Sequence, residues 1–483
     1  IIRWKDKFDM KIRNPRTGDC DFEINITDSD RLSEQVNKSR VAQQKWSDKT
    51  LDERISVLQE LKNSLIKNGE VIVQALSIDT GRTTISKREL DGLCGSIDRW
   101  CEDAIRCIDD SERQSKVIPS IAIKKHRDPY PVLGVISPWN FPLLLSFIDA
   151  VPALLAGCTV IIKPSEITPR FVEPLMTAIN EVDELENIIS FAHGDGSTGA
   201  NLIQYVDIVA FTGSVSTGKK VAAAAAKAFI PVCLELGGKD PAIVMKDSDI
   251  DRATTSILRA SIIATGQACQ SLERIYVDAV IYDEFTNLLT EKSKKIELSL
   301  KDGDGGMIGP LIFEKQAEII SEHIKDAKNK GAKIHCGGEI ENHHGGLWIK
   351  PTVMSHVTHD MKIMTDETFG PIMPIMSFKS TQEAIDLAND SRYGLSAAVF
   401  GKNYDEITEI AKKINCGGIS INDAGLTSMI FEEEKNTYKN SGMGPSRNGP
   451  EGFTRFFRKK ALFLNKGDVF SIEDIFKPNN PRK

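Results

Sequence analysis

The chain has 483 residues, 41% of them hydrophobic and 27% charged, a globular profile with room for two or three domains. Its formal net charge is −7, which excludes the basic footprint of a nucleic-acid-binding protein. Nine cysteines (20, 94, 101, 107, 158, 233, 269, 336 and 416) form no CxxC pair. A disulfide framework and a metal site are therefore not expected, and the expected compartment is a reducing cytoplasm.

The first seven residues lack the apolar core of a secretory signal, and the chain opens on Ile1 rather than methionine, as a trimmed or processed chain would. Residues 1 to 28 read as a strand-and-turn lead-in, with Asn14-Pro15-Arg16-Thr17-Gly18 as the turn. Leu32, Val36, Val41 (or Ala42) and Trp46 predict a helix, and Thr50 with Glu53 form a capping box for the next, whose stripe is Ile55, Leu58, Leu61 and Leu65. A third helix is predicted over 89–108, and a strand over 121–127. The apolar run 132–162 is broken by Asn140, Asp149 and three prolines, so buried strands with a helix between them explain it better than a membrane span.

Strands at 132–136, 159–162 and 208–211 alternate with helices at 171–179 and 221–228, which predicts βαβ units and a parallel sheet. The alternation restarts past Glu235, with strands at 242–245, 274–277 and 397–400 and helices at 251–263, 281–298, 315–330 and 382–389. A second α/β lobe is expected, with Glu235 at the seam. The basic segment 455–460 reads as an edge strand with a solvated face, and His343, His344, His356 and His359 as surface residues.

The candidate chemistry lies in short motifs. Thr265-Gly266-Gln267-Ala268-Cys269-Gln270-Ser271 offers a thiol in a polar turn, and Glu235-Leu236-Gly237-Gly238-Lys239 a carboxylate before two glycines. A nucleophile and a base of these kinds suit acyl chemistry through a thioester. Ser137-Pro138-Trp139-Asn140-Phe141-Pro142 is a rigid loop presenting one amide, a suitable donor to an oxyanion. Lys163-Pro164-Ser165-Glu166 follows a buried strand, where a ribose could be held. The segment 212–220 nearly matches a P-loop but has Lys220 where Ser or Thr must hold magnesium, so nucleotide hydrolysis is not expected. No GxGxxG fingerprint is present.

Together with Phe211-Thr212-Gly213-Ser214 and Glu367-Thr368-Phe369-Gly370-Pro371, these motifs resemble, in order and over nearly the whole chain, those of the aldehyde dehydrogenase superfamily. The resemblance implies an α/β fold of two Rossmann-like parallel-sheet lobes plus a small β oligomerisation element. Residues 1–110 and 130–237 would bind the cofactor, 238–440 would be catalytic, and 111–129 with 441–483 would bridge subunits of a homodimer or homotetramer. It further implies Cys269 as nucleophile, Asn140 with the Cys269 N–H as oxyanion donors, and Glu235 as the base that activates water against the thioester. Lys163, Ser165 and Glu166 would hold the adenosine ribose, and Gly196 and Gly199 a turn on the adenine side. Gly213 and Ser214 would meet the pyrophosphate, Glu367 the nicotinamide ribose, and Trp139 and Phe369 the nicotinamide end, with Ile136, Phe211 and Leu236 completing the cofactor site. Glu166 would disfavour a 2′-phosphate, so NAD is expected with NADP possible.

The implied partner is a small-molecule aldehyde, with no nucleic acid and no membrane. The presence of Glu235 points to hydrolysis rather than acyl transfer to coenzyme A. A coenzyme-A-acylating enzyme and a non-catalytic binding protein on the same fold are the alternatives. One segment departs from the family pattern: where relatives carry a Pro-Phe-Gly-Gly-like stretch, this chain reads Glu432-Glu433-Glu434-Lys435-Asn436-Thr437, which leaves the substrate pocket open.

Overall fold

The computed structural model describes residues 9–108, 111–301, 306–469 and 471–476, so the reading of residues 1–7 lies outside the described residues. A hairpin of Asp9–Arg13 with Cys20–Asn25 leads into the helices Ser29–Asp48 and Leu51–Lys67. The Thr50–Glu53 capping box forms in both directions. On the first helix Leu32, Val36 and Trp46 are buried, while Val41 faces out.

Two sheets follow. The first runs Gly442–Met443, Val232–Glu235, Ile208–Thr212, Val132–Ile136, Thr159–Lys163, Ile189–Phe191, parallel except for its short first strand. Its central strands are buried along their whole length because both faces are covered. Alternate residues serve the two faces: Leu133 and Val135 join one apolar cluster, Val132 and Ile136 the other. The chain enters at 132–136, builds outward through 159–163 and 189–191, then returns to lay 208–212 on the other side. That reversal opens a crevice at the carboxyl ends of 132–136 and 208–212, the place where open α/β sheets bind ligands.

The second sheet runs Lys333–Cys336, Thr352–Ser355, Ile372–Phe378, Leu272–Asp278, Asp240–Val244, Ser396–Phe400, Gly418–Ile421, parallel but for the 333–336 edge. Only four residues, 236–239, separate the end of the strand Val232–Glu235 from the start of Asp240–Val244. The third sheet is antiparallel, Arg113–Gln114, Ile121–Pro129 and Phe457–Asn465, with Phe457 opposite Pro129 and Asn465 opposite Ile121. Leu462, Phe463 and Leu464 on its outer strand are exposed. Among the described residues no helix is long and apolar enough to cross a membrane.

Three details differ from the sequence reading. A helix at Gly69–Thr80 was not foreseen, because Val71-Ile72-Val73 is a β-type run, and the next helix begins at Thr83 instead of 89. Gly81, at φ +67°, separates the two. His343 lies in a hairpin strand, and the ring of His359 is held between Tyr276 Oη and Asp390 rather than lying free in a loop. Finally, Gly442–Met443 pairs with Val232–Glu235, and the helix Gly449–Thr454 packs on helices of the first lobe, although both were grouped with the terminal element.

That return of the C-terminal segment is tied by a buried ion cluster. Asp149 accepts from Arg447 at 2.8 and 3.1 Å and from Arg455, and Arg447 also donates to Thr212 Oγ1 at 2.6 Å. The two guanidiniums hold the Asp149 carboxyl below its ordinary range despite complete burial. Asp149→Ala would leave two buried cations without their acid and should cost about 3–5 kcal/mol of stability. Urea unfolding checks this, and a loss under 1 kcal/mol would contradict the role given to the cluster.

Candidate active site

The seam sets carboxyl ends of first-sheet strands against amino ends of second-sheet strands. Glu235 ends a strand of the first sheet. Cys269 and Phe369 each lie three residues before a strand of the second, Leu272–Asp278 and Ile372–Phe378. Sequences 100 residues apart therefore meet at one line.

The thiol segment is shaped by three consecutive left-handed residues, Ala264, Thr265 and Gly266 at φ 53°, 63° and 68°. Gly266 is required: a Cβ there would collide with the backbone of Gly370 and Pro371. Thr265 Oγ1 donates to Gly309 O at 3.0 Å, and the Gln267 amide donates to Ala264 O and Pro310 O while accepting from Ile312 N. Such side-chain bonds offset the cost of strained backbone and leave Cys269 half-buried just beyond it.

Asn140 is buried, and its Nδ2 donates to Gln267 O at 2.9 Å, two residues before Cys269. Its own carbonyl accepts from Arg82, which also donates to Ala264 O at 3.1 Å. Among the described residues the second Asn140 N–H has no partner. From the other side Gly238 presses on the thiol segment; an added Cβ would stand 2.5 Å from Cys269 O. The Glu235–Lys239 loop and the Cys269 turn are therefore in backbone contact.

The Glu367-Thr368-Phe369 segment is fixed by a buried pair. Lys239 Nζ lies 2.6 Å from Glu273 Oε2 and donates to Thr368 Oγ1 at 2.9 Å, while Glu273 accepts from Thr368 N and Phe369 N at 2.7 Å each. Glu367 in turn accepts from Gly238 N at 3.1 Å. Phe369, at φ 54°, meets Trp139 edge-on with centroids 5.4 Å apart.

Burial pushes the Cys269 thiol up to about 12, helped by the negative charges of Glu367, Asp240 and Glu235 and opposed by Arg447. Glu367 is itself pushed up to about 8, by burial first and then by Glu273 and Asp240. The thiol is thus a neutral SH at physiological pH, and its proton needs an acceptor.

The remaining predicted residues line the crevice of the first sheet. Lys163 is buried and donates to Glu166 Oε2 at 2.8 Å, and Ser165 Oγ accepts from Ile167 N. Gly196 and Gly199 open the helix Gly196–Ile203; a Cβ at Gly196 would meet nothing, and one at Gly199 would touch Ile136. Ser214 caps the helix Val215–Ala228 through Thr217 N, and Gly213 lies against the Phe211 ring. Leu236 packs on Gly218. Three groups escaped the sequence reading as site residues: Arg82, Arg447 and Glu273. Each is a charged residue in a mixed segment, and only the tertiary fold shows Arg82 and Glu273 buried and Arg447 mostly covered.

A model of the aldehyde dehydrogenase family matches residues 3–462. The chain belongs to the aldehyde dehydrogenase family. It is similar to the structure of PutA from Anabaena variabilis, at 50% identity and a TM-score of 0.95 over 96% of this chain and 99% of that one. Lactaldehyde dehydrogenase from Escherichia coli superposes at 0.90 with 30% identity, over 96% and 97% of the two chains. Betaine aldehyde dehydrogenase from Staphylococcus aureus, solved in complex with NAD+, superposes at 0.89 with 30% identity, over 96% and 92%.

Alkylation of Cys269 by iodoacetamide in the free protein should rise about tenfold per pH unit from pH 7 to 10, because the thiolate fraction grows throughout that range. Glu367→Gln, which removes the largest charge opposing ionisation, should speed it several-fold at pH 9. A rate that levels off near pH 8, read from the Cys269 peptide by mass, would contradict the direction of the shift.

Proposed function

We propose that the chain oxidises an aldehyde to a carboxylic acid with NAD as cofactor, NADP being possible, through a thioester on Cys269. The observation that carries this reading is the convergence of a thiol, an amide donor and a carboxylate at one seam. Asn140 is bonded to the Cys269 turn and the Glu235 loop presses on it.

The chain's own groups divide the work. Cys269 loses its proton to a carboxylate of the seam, Glu235, or Glu367 where the pH is high enough to ionise it, and its sulfur adds to the aldehyde carbon. The free Asn140 N–H and the Cys269 backbone N–H receive the oxyanion. A dinucleotide held by Lys163, Glu166 and Glu367 would supply the hydride acceptor for the former aldehydic hydrogen. Glu235 then takes a proton from water, whose oxygen attacks the thioester carbon; the C–S bond breaks and the acid leaves as the thiol is regenerated.

The residues present suit the dinucleotide. Two helix N-termini, at Gly196 and Val215, open at the carboxyl side of the first sheet, as an anionic pyrophosphate requires. Lys163 and Glu166 would hold the adenosine ribose beside Ser165, and Glu367 the nicotinamide ribose. Trp139, Phe369, Ile136, Phe211 and Leu236 would supply apolar walls. Residues 1–110 with 130–237 would form the cofactor lobe and 238–440 the catalytic one. The three-stranded sheet, with its exposed Leu462, Phe463 and Leu464, would meet a second copy in a dimer or tetramer. A cytoplasmic site of action fits nine unpaired cysteines.

The test is reduced-nicotinamide absorbance with purified protein and a panel of aldehydes. Cys269→Ala should lower kcat at least ~10⁴-fold while NAD still binds, a loss of the size seen when a nucleophile is removed. Glu235→Gln should release about one equivalent of reduced cofactor per site in a fast burst and then turn over slowly. Undiminished steady turnover in either variant would contradict its role.

A further inference from the structure

A cation lies close to the nucleophile, and among the described residues no carboxylate is bonded to it. Lys435 belongs to the segment that departs from the family pattern. Its N–H is fixed to Ser446 Oγ at 3.0 Å, and its ammonium donates to Thr427 O at 2.8 Å. Thr427 Oγ1 donates in turn to Gln270 Oε1 at 2.5 Å, and Gln270 is the neighbour of Cys269. Two hydrogen bonds therefore connect the ammonium to the thiol turn. The stem is packed as well, since a Cβ on Gly418 would stand 3.1 Å from Lys435 Cδ.

An ammonium has three donors, and among the described residues one of Lys435's is used within the protein. The three acids before it in sequence are turned to other work. Glu432 accepts from Phe431 N, Glu433 from Glu434 N, and Glu434 from Glu451 N. Burial pulls the Lys435 ammonium below its ordinary range; the charges that act on it are Glu235, Cys269 and Asp240, which favour the cation, and Arg447, which opposes it. A half-buried cation with donors to spare is costly in the free protein and is relieved by an anion that arrives with the substrate.

We propose that Lys435 binds a carboxylate at the far end of the substrate, so that the preferred aldehyde is a short semialdehyde. The assignment rests on Cys269 being the nucleophile. It ranks substrates by charge: an anionic aldehyde gains a partner, a neutral one of equal shape gains none, and a quaternary ammonium aldehyde is repelled.

The experiment compares kcat/KM for succinic semialdehyde, its neutral isostere 4-methylpentanal and betaine aldehyde, in wild type, Lys435→Met and Lys435→Arg. Wild type should favour the semialdehyde at least tenfold over either. Lys435→Met should cut that preference tenfold or more, mainly through KM, and Lys435→Arg should restore part of it. An unchanged preference, or an equal fall in kcat for all three aldehydes, would overturn the proposal; the second result would make Lys435 a group acting only on Cys269 or Glu235. A parallel arm needs no turnover: succinate, but not succinamide, should slow iodoacetamide labelling of Cys269 in wild type and not in Lys435→Met. Absence of oxidation with every aldehyde alongside selective succinate protection would refute the dehydrogenase reading and leave the anion site standing. Equal protection by succinate and succinamide would refute the site itself.

Discussion

The constraint on which the molecule depends is the closeness of the Gly237–Gly238 backbone to the Cys269 turn. A side chain at Gly238 would meet Cys269 O at 2.5 Å, and one at Gly237 would run into the Glu367 carboxylate. Because only residues 236–239 separate the two sheets, the carboxyl end of one strand and the amino end of the next are forced together there. The crevice of the first sheet, where a dinucleotide is expected, and the thiol at the edge of the second thus share one wall.

This closeness concentrates negative charge. Glu235, Asp240, Glu273 and Glu367 all lie along the seam, and Glu273 is paired with Lys239. The protonated thiol and the raised Glu367 follow from the same cause, burial beside other acids. Arg447 and Lys435 are cations that face this field, one tied to Asp149 and the other, among the described residues, to a backbone carbonyl. Their different tethering is why the first is assigned to the fold and the second is the one proposed to meet a ligand.

Much of this was legible in the sequence where local chemistry is distinctive. The capping box at Thr50, the buried strands at 132–136 and 159–163, and the glycine pairs at 237–238 each announce their conformation through their own side chains. Helix Gly69–Thr80 was hidden because packing overrode a β-branched run. The short strand Gly442–Met443 was hidden because a two-residue antiparallel edge has no periodicity to read. Arg82, Arg447 and Glu273 look like ordinary surface charges until the fold buries the first and last and covers most of the second. Lys435 stood in a segment whose departure was visible, yet its direction depends on Thr427 and Gln270, which are distant in sequence.

The claim at the centre is a bond between substrate and one sulfur. The most direct measurement is acid quench of the working enzyme with aldehyde and NAD, followed by peptide mass analysis. The account predicts that the Cys269 peptide gains the mass of the aldehyde less two hydrogens, and that the other eight cysteines stay unmodified. Product formed over many turnovers with Cys269 never modified, or an acyl group carried by another cysteine such as Cys233, would contradict it.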